Sequence, residues 1–345
     1  MPPTHRDERS ELLFDVDEAH RGMRLDVFLS GAVPDATRSF LKKLIKEGRV
    51  KLNGQVSRRP SRSVALDEEV SIALPPPPSS ELVPEDIPLD VLHEDADLLI
   101  VNKPSGLVVH PAPGHYTGTL VHAVLYHCAN FERPTGTLSG YDADPLRPGI
   151  VHRLDRFTSG VMVVAKTQAA FDGLSKQARE HTFDRRYLAL VQGEFKEDRG
   201  VIRASIGRSL SDRSRMAVTG VKSREAVTCF QVVERLGAAS VVSLRLETGR
   251  THQIRVHLRF AGRPVLGDPV YGITDYRGWP IDDNVRTKLE ALEGQALHAE
   301  FLGIAHPVSG ERLSFTAPAP DDFWAAQDAL RTARRTDPRV SAPDA

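Results

Sequence analysis

The chain has 345 residues, long enough for two domains with their own cores. Hydrophobic residues are 40% and charged residues 26%, which is ordinary globular composition, and no apolar run reaches the roughly 18 residues of a membrane span. The net charge of −1 hides an asymmetry: residues 23–66 carry ten Lys/Arg against three Asp/Glu, and residues 67–97 carry ten Asp/Glu and no Lys/Arg. A basic block of this kind suits a polyanion, although a solvated helix face gives the same count. The two cysteines, Cys128 and Cys229, exclude a disulfide framework and a cysteine-rich zinc site. With a polar N-terminus that lacks an apolar signal core, they point to a reducing cytoplasm.

Residues 1–22 read as a polar arm with one edge strand at residues 12–16. A helical pattern follows, with Leu25, Phe28 and Leu29 on one face. Thr37 is a candidate cap for a second helix carrying Phe40, Leu41, Leu44 and Ile45, which ends at Gly48. Residues 50–56 read as a hairpin about Asn53-Gly54, and residues 64–74 as a further strand pair. The four prolines at residues 75–78 mark a semi-rigid linker, here bounded as 75–84. Beyond it, residues 98–101 read as a buried strand entering the turn Asn102-Lys103-Pro104-Ser105-Gly106. Residues 131–148 read as a surface loop, 161–165 as a central strand, 171–180 as a helix and 187–191 as a strand. Residues 240–247 alternate as a half-buried strand. A helix capped by Thr251 should follow, carrying Ile254 and Leu258 and ending near Gly262. Residues 329–345 read as a disordered tail. Strands outnumber helices without βαβ alternation, so the fold class is α+β, with a mixed, mostly antiparallel sheet and a central cleft in the larger domain.

Three segments could carry chemistry. In Gly149-Ile150-Val151-His152-Arg153-Leu154-Asp155-Arg156-Phe157-Thr158-Ser159-Gly160, a carboxylate stands between two arginines before a buried strand. Neighbouring cations favour its ionised form, which suits a nucleophile or electrostatic stabiliser, but a turn cap with a surface ion pair has the same spacing. The second segment is Gly249-Arg250-Thr251-His252-Gln253-Ile254-Arg255-Val256-His257. It places His252, Arg255 and Arg259 on one helix face, either for an anion or for solvent. The third is Tyr187, which as a lone strand tyrosine is equally a core residue. No phosphate-cradling glycine loop and no His-Glu-x-x-His helix occurs, and His252 and His257, five apart, match one helical face poorly.

Taken together and in order, these segments resemble the RluA-type pseudouridine synthases. Residues 102–111 and Ala296-Leu297-His298-Ala299 add two further blocks of that resemblance. The basic unit of residues 23–74 is similar to a small RNA-binding module first recognised in a ribosomal small-subunit protein, and the pair resembles the RluD-like branch. The resemblance implies isomerisation of uridine to pseudouridine in RNA, first of all large-subunit ribosomal RNA, by a catalytic domain spanning residues 85–328. It implies that Asp155 is the catalytic carboxylate, Arg255 its basic partner and Tyr187 the ring against the uracil. It further implies that Arg153 fills the vacated base position and that Leu297 lines the pocket. His152, Arg24, Arg38, Lys42 and Lys46 are expected to meet RNA. No cofactor, metal or membrane is expected, and the expected state is a monomer. Transfer RNA as target, or an RNA-binding assembly factor in which chemistry is secondary, are the alternatives. Residues 268–295 look loop-rich and overlap no motif block.

Overall fold

The computed structural model describes residues 11–33, 38–74, 82–112, 115–128, 147–210, 212 and 215–336. The chain divides into two compact units, Met1–Glu81 and Leu82–Ala345. The capping role of Thr37, the linker prolines and most of the 131–148 stretch lie outside the described residues.

The first unit contains β1 (Glu11–Asp15), α1 (Leu25–Ala32), α2 (Arg38–Lys46), β2 (Val50–Leu52), β3 (Gln55–Val56) and β4 (Glu69–Ala73). The strands form an antiparallel sheet in the order β1-β4-β2-β3. Asn53 and Gly54 both take positive φ, as the expected two-residue hairpin turn requires. Leu25, Phe28 and Leu29 of α1 and Leu41, Leu44 and Ile45 of α2 pack on Val50, Leu52, Val70 and Ile72. Within the arm expected over residues 1–22, the edge strand expected at residues 12–16 is present as β1, and it belongs to this module rather than to a loose arm. Phe14 and Val16, two apart and so on one strand face, are buried in this core, which draws β1 into the sheet.

The second unit runs β5 (Val91–Glu94), β6 (Leu98–Lys103), α3 (Leu120–His127), β7 (Ser159–Ala165), α4 (Gln168–Arg179), β8 (Asp184–Gln192), β9 (Arg199–Arg203), β10 (Ile206–Arg208), β11 (Met216–Val218), β12 (Val227–Arg235), β13 (Ala239–Leu246), α5 (Gln253–Phe260), α6 (Asp283–Glu290), β14 (Leu297–Ala305), β15 (Arg312–Thr316) and α7 (Asp321–Thr336). Nine strands form one sheet in the order β5-β6-β7-β14-β8-β13-β12-β9, with β15 also on β14; β10 and β11 make a separate hairpin. All these pairings are antiparallel except β7 with β14.

Layering follows from the two-residue period of the strands. In β7, Met162 and Val164 face a core shared with α3 and α5, while Val161, Val163 and Ala165 face a core shared with α4. The register of β7 with β14 sets Gly160 against Ala299. Gly160 has φ +116°, and a Cβ there would stand 2.2 Å from the Ala299 carbonyl oxygen, so this seam admits only glycine. The tail expected from residue 329 is also corrected: α7 continues to Thr336, because Phe323, Ala326, Ala329 and Leu330 form a buried helical stripe. Residues 337–345 lie outside the described residues. No described helix is long and apolar enough to cross a membrane.

Candidate active site

The loop before β7 lines a cavity of about 710 Å³ together with the ends of β8 and β13, the start of α5, Leu297 of β14 and the C-terminal end of α4. Asp155 sits on this loop, and main-chain contacts set its position. The Asp155 carbonyl accepts from the Thr158 N–H at 3.1 Å, closing a turn. The buried Lys103 ammonium donates to the carbonyls of Pro104, Leu107 and Arg156 at 2.7, 3.0 and 3.1 Å. The Ser105 hydroxyl donates to the Phe157 carbonyl at 3.2 Å, and the Arg156 Nε to the Gly106 carbonyl at 3.2 Å. The turn at residues 102–106 thus clamps the loop that carries Asp155. Burial pushes the Lys103 pKa down to about 7 while the Asp155 charge opposes that, and three carbonyl acceptors match the three protons of an ammonium.

Asp155 and Arg255 meet as expected. Arg255 Nη1 donates to Asp155 Oδ2 at 2.8 Å. The rest of the guanidinium is held by Asp268, whose Oδ2 accepts from Nε at 2.6 Å and whose Oδ1 accepts from Nη2 at 2.8 Å. The guanidinium also lies 4.9 Å from the Tyr271 ring centroid. Burial works against the charges of Arg255 and Asp268. Their mutual hydrogen bonds and opposite charges outweigh it, so the Arg255 pKa is raised and the Asp268 pKa is held below the usual carboxylate range. Neither Asp268 nor Tyr271 was singled out in the sequence, and both come from the stretch that overlaps no motif block.

His252, not Thr251, is the residue before the first turn of α5, and it takes the left-handed conformation with φ +55°. Its Nδ1 is 2.7 Å from the Tyr271 hydroxyl, and its Nε2 is 3.8 Å from Asp155 Oδ1. Tyr187 is buried in the cavity wall. Burial pushes its pKa up, and the Asp155 charge pushes the same way against the opposing Arg185 cation. Leu297 is buried beside it in the lining. Arg153 reaches His110, with Nη1 3.0 Å from His110 Nε2. His152 lines the cavity, but its Nε2 accepts the Val163 N–H of β7 at 3.1 Å, and burial, reinforced by the Arg185 charge, lowers its pKa to about 3. It is therefore a neutral strut between the loop and the sheet, with its ring at the cavity wall. Of the cations expected on the predicted helix face, Arg259 turns away and donates to the Tyr271 carbonyl at 2.9 Å. Arg185, two residues before Tyr187 and on the same strand face, has a buried Nε with no hydrogen-bond partner among the described residues.

In the first unit, three expected RNA-facing cations converge on one buried carboxylate. Asp26 receives Arg24 Nε at 3.0 Å, Arg38 Nη2 at 2.8 Å and Lys42 Nζ at 3.6 Å. The cationic side chains remain 47%, 47% and 44% exposed, so a surplus of positive charge still faces solvent around a neutralising core residue. Lys46, at the end of α2, is exposed.

The comparisons with known proteins agree with this geometry. A family model described as RNA pseudouridylate synthase matches residues 97–260, and one for the S4 domain matches residues 23–70. An uncharacterised RNA pseudouridine synthase of Synechocystis is 42% identical over 93% of this chain and 94% of its own length. The chain belongs to the RNA pseudouridine synthase family. The ribosomal large subunit pseudouridine synthase D of Zymomonas mobilis is 42% identical over 88% of this chain and 92% of its own. Among solved structures, human RNA pseudouridylate synthase domain containing 1 aligns with a TM-score of 0.53 at 26% identity, over 75% of this chain and 98% of that one. The chain is thus an RNA-acting isomerase with an S4 module, and both expectations of family and α+β fold hold.

Proposed function

We propose that this synthase converts uridine to pseudouridine in large-subunit ribosomal RNA, with Asp155 as the catalytic carboxylate acting on an everted nucleotide. The observation that carries the reading is the Arg255-held Asp155 at the wall of a cavity that also contains Tyr187 and Leu297. A uridine in a structured RNA hides its glycosidic bond, so the nucleotide must leave the stack at a cost of roughly a few kcal/mol. The Tyr187 ring offers a stacking surface and Arg153 a cation to set against that cost. The C1′–N1 bond then breaks, the uracil turns, and C5 bonds to C1′. The C5 proton leaves and N1 gains one, so the formula is unchanged and no second carboxylate, as in a glycosidase, is required. The large-subunit target rests on relatives that carry that name, such as the enzyme of Zymomonas mobilis.

Asp155→Asn should abolish pseudouridine formation, to at least about a thousandfold below the parent rate, with the fold retained. Persistence of the parent rate overturns the catalytic assignment. Mapping pseudouridines in ribosomal and transfer RNA from deletion and parent cells tests the target. A loss confined to transfer RNA overturns the ribosomal assignment.

A further inference from the structure

Asp155 uses one oxygen on Arg255 and leaves the other open. Oδ2 accepts from Arg255 at 2.8 Å, whereas among the described residues Oδ1 accepts no hydrogen bond. The nearest polar atom in its ion-pair contacts is His252 Nε2 at 3.8 Å, too far for a direct hydrogen bond.

The proton on His252 can be placed from its other nitrogen. The Tyr271 hydroxyl oxygen accepts the Met216 N–H at 2.9 Å, and its own proton has His252 Nδ1, at 2.7 Å, as acceptor. If Nδ1 carried the proton instead, the hydroxyl hydrogen of the buried Tyr271 would have no acceptor among the described residues. Nδ1 is therefore an acceptor and Nε2 carries the proton. Burial lowers the pKa of His252, with Arg255 and Arg153 adding to that against Asp155 and Asp268, so the ring is neutral at physiological pH.

The cavity wall thus presents an N–H donor and a carboxylate acceptor 3.8 Å apart. One atom about 2.8 Å from each would complete both bonds, provided it both accepts and donates. Uracil has no such atom, because its carbonyls only accept and its N–H only donates. In a nucleotide inside an RNA chain, O3′ and O5′ are esterified, so the ribose 2′-hydroxyl is the one sugar group that qualifies.

We infer that His252, with Asp155 Oδ1, binds the 2′-hydroxyl of the target uridine and makes the site selective for ribose. This rests on the reading of Asp155 above. It makes His252 a substrate-contacting specificity residue and Tyr271 the residue that sets its donor.

The test uses an RNA fragment carrying the mapped uridine, and the same fragment with a single 2′-deoxyuridine at that position. Turnover of the ribo fragment by the parent chain establishes the functional reading, so the variants then judge this assignment alone. The parent should bind the deoxy fragment, as an inhibitor, about tenfold more weakly than the ribo fragment. In His252→Ala the ratio should fall below about threefold, and His252→Gln, which keeps a side-chain N–H, should restore it. Tyr271→Phe leaves the ring in place but frees Nδ1 to take the proton, and should lower the ratio as the alanine does. An unchanged ratio in His252→Ala and Tyr271→Phe, with both fragments weakened alike, overturns the inference.

Discussion

Arg255 divides one guanidinium between two carboxylates that do different jobs. Asp268 is fully buried and takes two of its nitrogens, so it fixes the plane in which the third meets Asp155. Asp268→Asn should cost about 3–5 kcal/mol of stability, because it leaves a buried cation half paired. Activity should fall with it, read as kcat on the RNA fragment. The pH dependence has a definite sign. The folded pKa of Asp268 lies below its ordinary value of 3.8, so its ionisation stabilises the native state at neutral pH, and the advantage of the parent over Asp268→Asn should shrink as pH falls through and below 3.8. Denaturation midpoints of the two proteins between pH 3 and 7 check it. The Asp155–Arg255 pairing was legible because both residues stand in recognisable blocks. Asp268 was not, because it follows Arg255 by 13 residues in an irregular stretch where no periodicity ties a side chain to a face.

At the scale of elements, apolar rhythm was the reliable guide. The continuous run in β7 marks a strand buried on both sides, and the 3.6-residue stripe of α5 points Ile254 and Leu258 into the core. The same stripe is present in α7, where the charges at Arg334 and Arg335 and the following Pro338 made it read as a tail. What periodicity cannot show is a contact between backbones. The parallel seam of β7 and β14 is one, and Gly160→Ala should force it open, at about 3 kcal/mol or more. Both tryptophans, Trp279 and Trp324, lie in the larger unit, so their fluorescence on unfolding reports that loss directly. An unfolding midpoint equal to the parent's would contradict the steric reading of Gly160.

Over the whole molecule, the near-zero net charge is a sum of opposites, and the basic block of residues 23–66 lies within the S4 match. Asp26 ties Arg24 and Arg38 tightly and Lys42 loosely, so not every cation in the unit can be changed without cost to its core. Lys42→Gln with Lys46→Gln spares the two short ion pairs. This double change should weaken RNA binding and reduce the slope of log affinity against log salt by roughly 0.7–0.9 for each phosphate contact removed. Titrations at four salt concentrations measure it, and an unaltered slope would mean that these lysines only face solvent. The basic block was visible as a count. Its organisation around a buried acid was not, because α1 and α2 bring together residues that composition treats as independent.

The grip of Lys103 and Ser105 on residues 156 and 157 has an evolutionary corollary. Both hold peptide oxygens, which every amino acid supplies, so the place of Asp155 is insulated from the identity of its neighbour at 156. Arg156 is exposed, and among the described residues its head group meets Gly106, His115 and the face of Phe157. A lineage can therefore exchange that side chain while the backbone that carries Asp155 keeps its place.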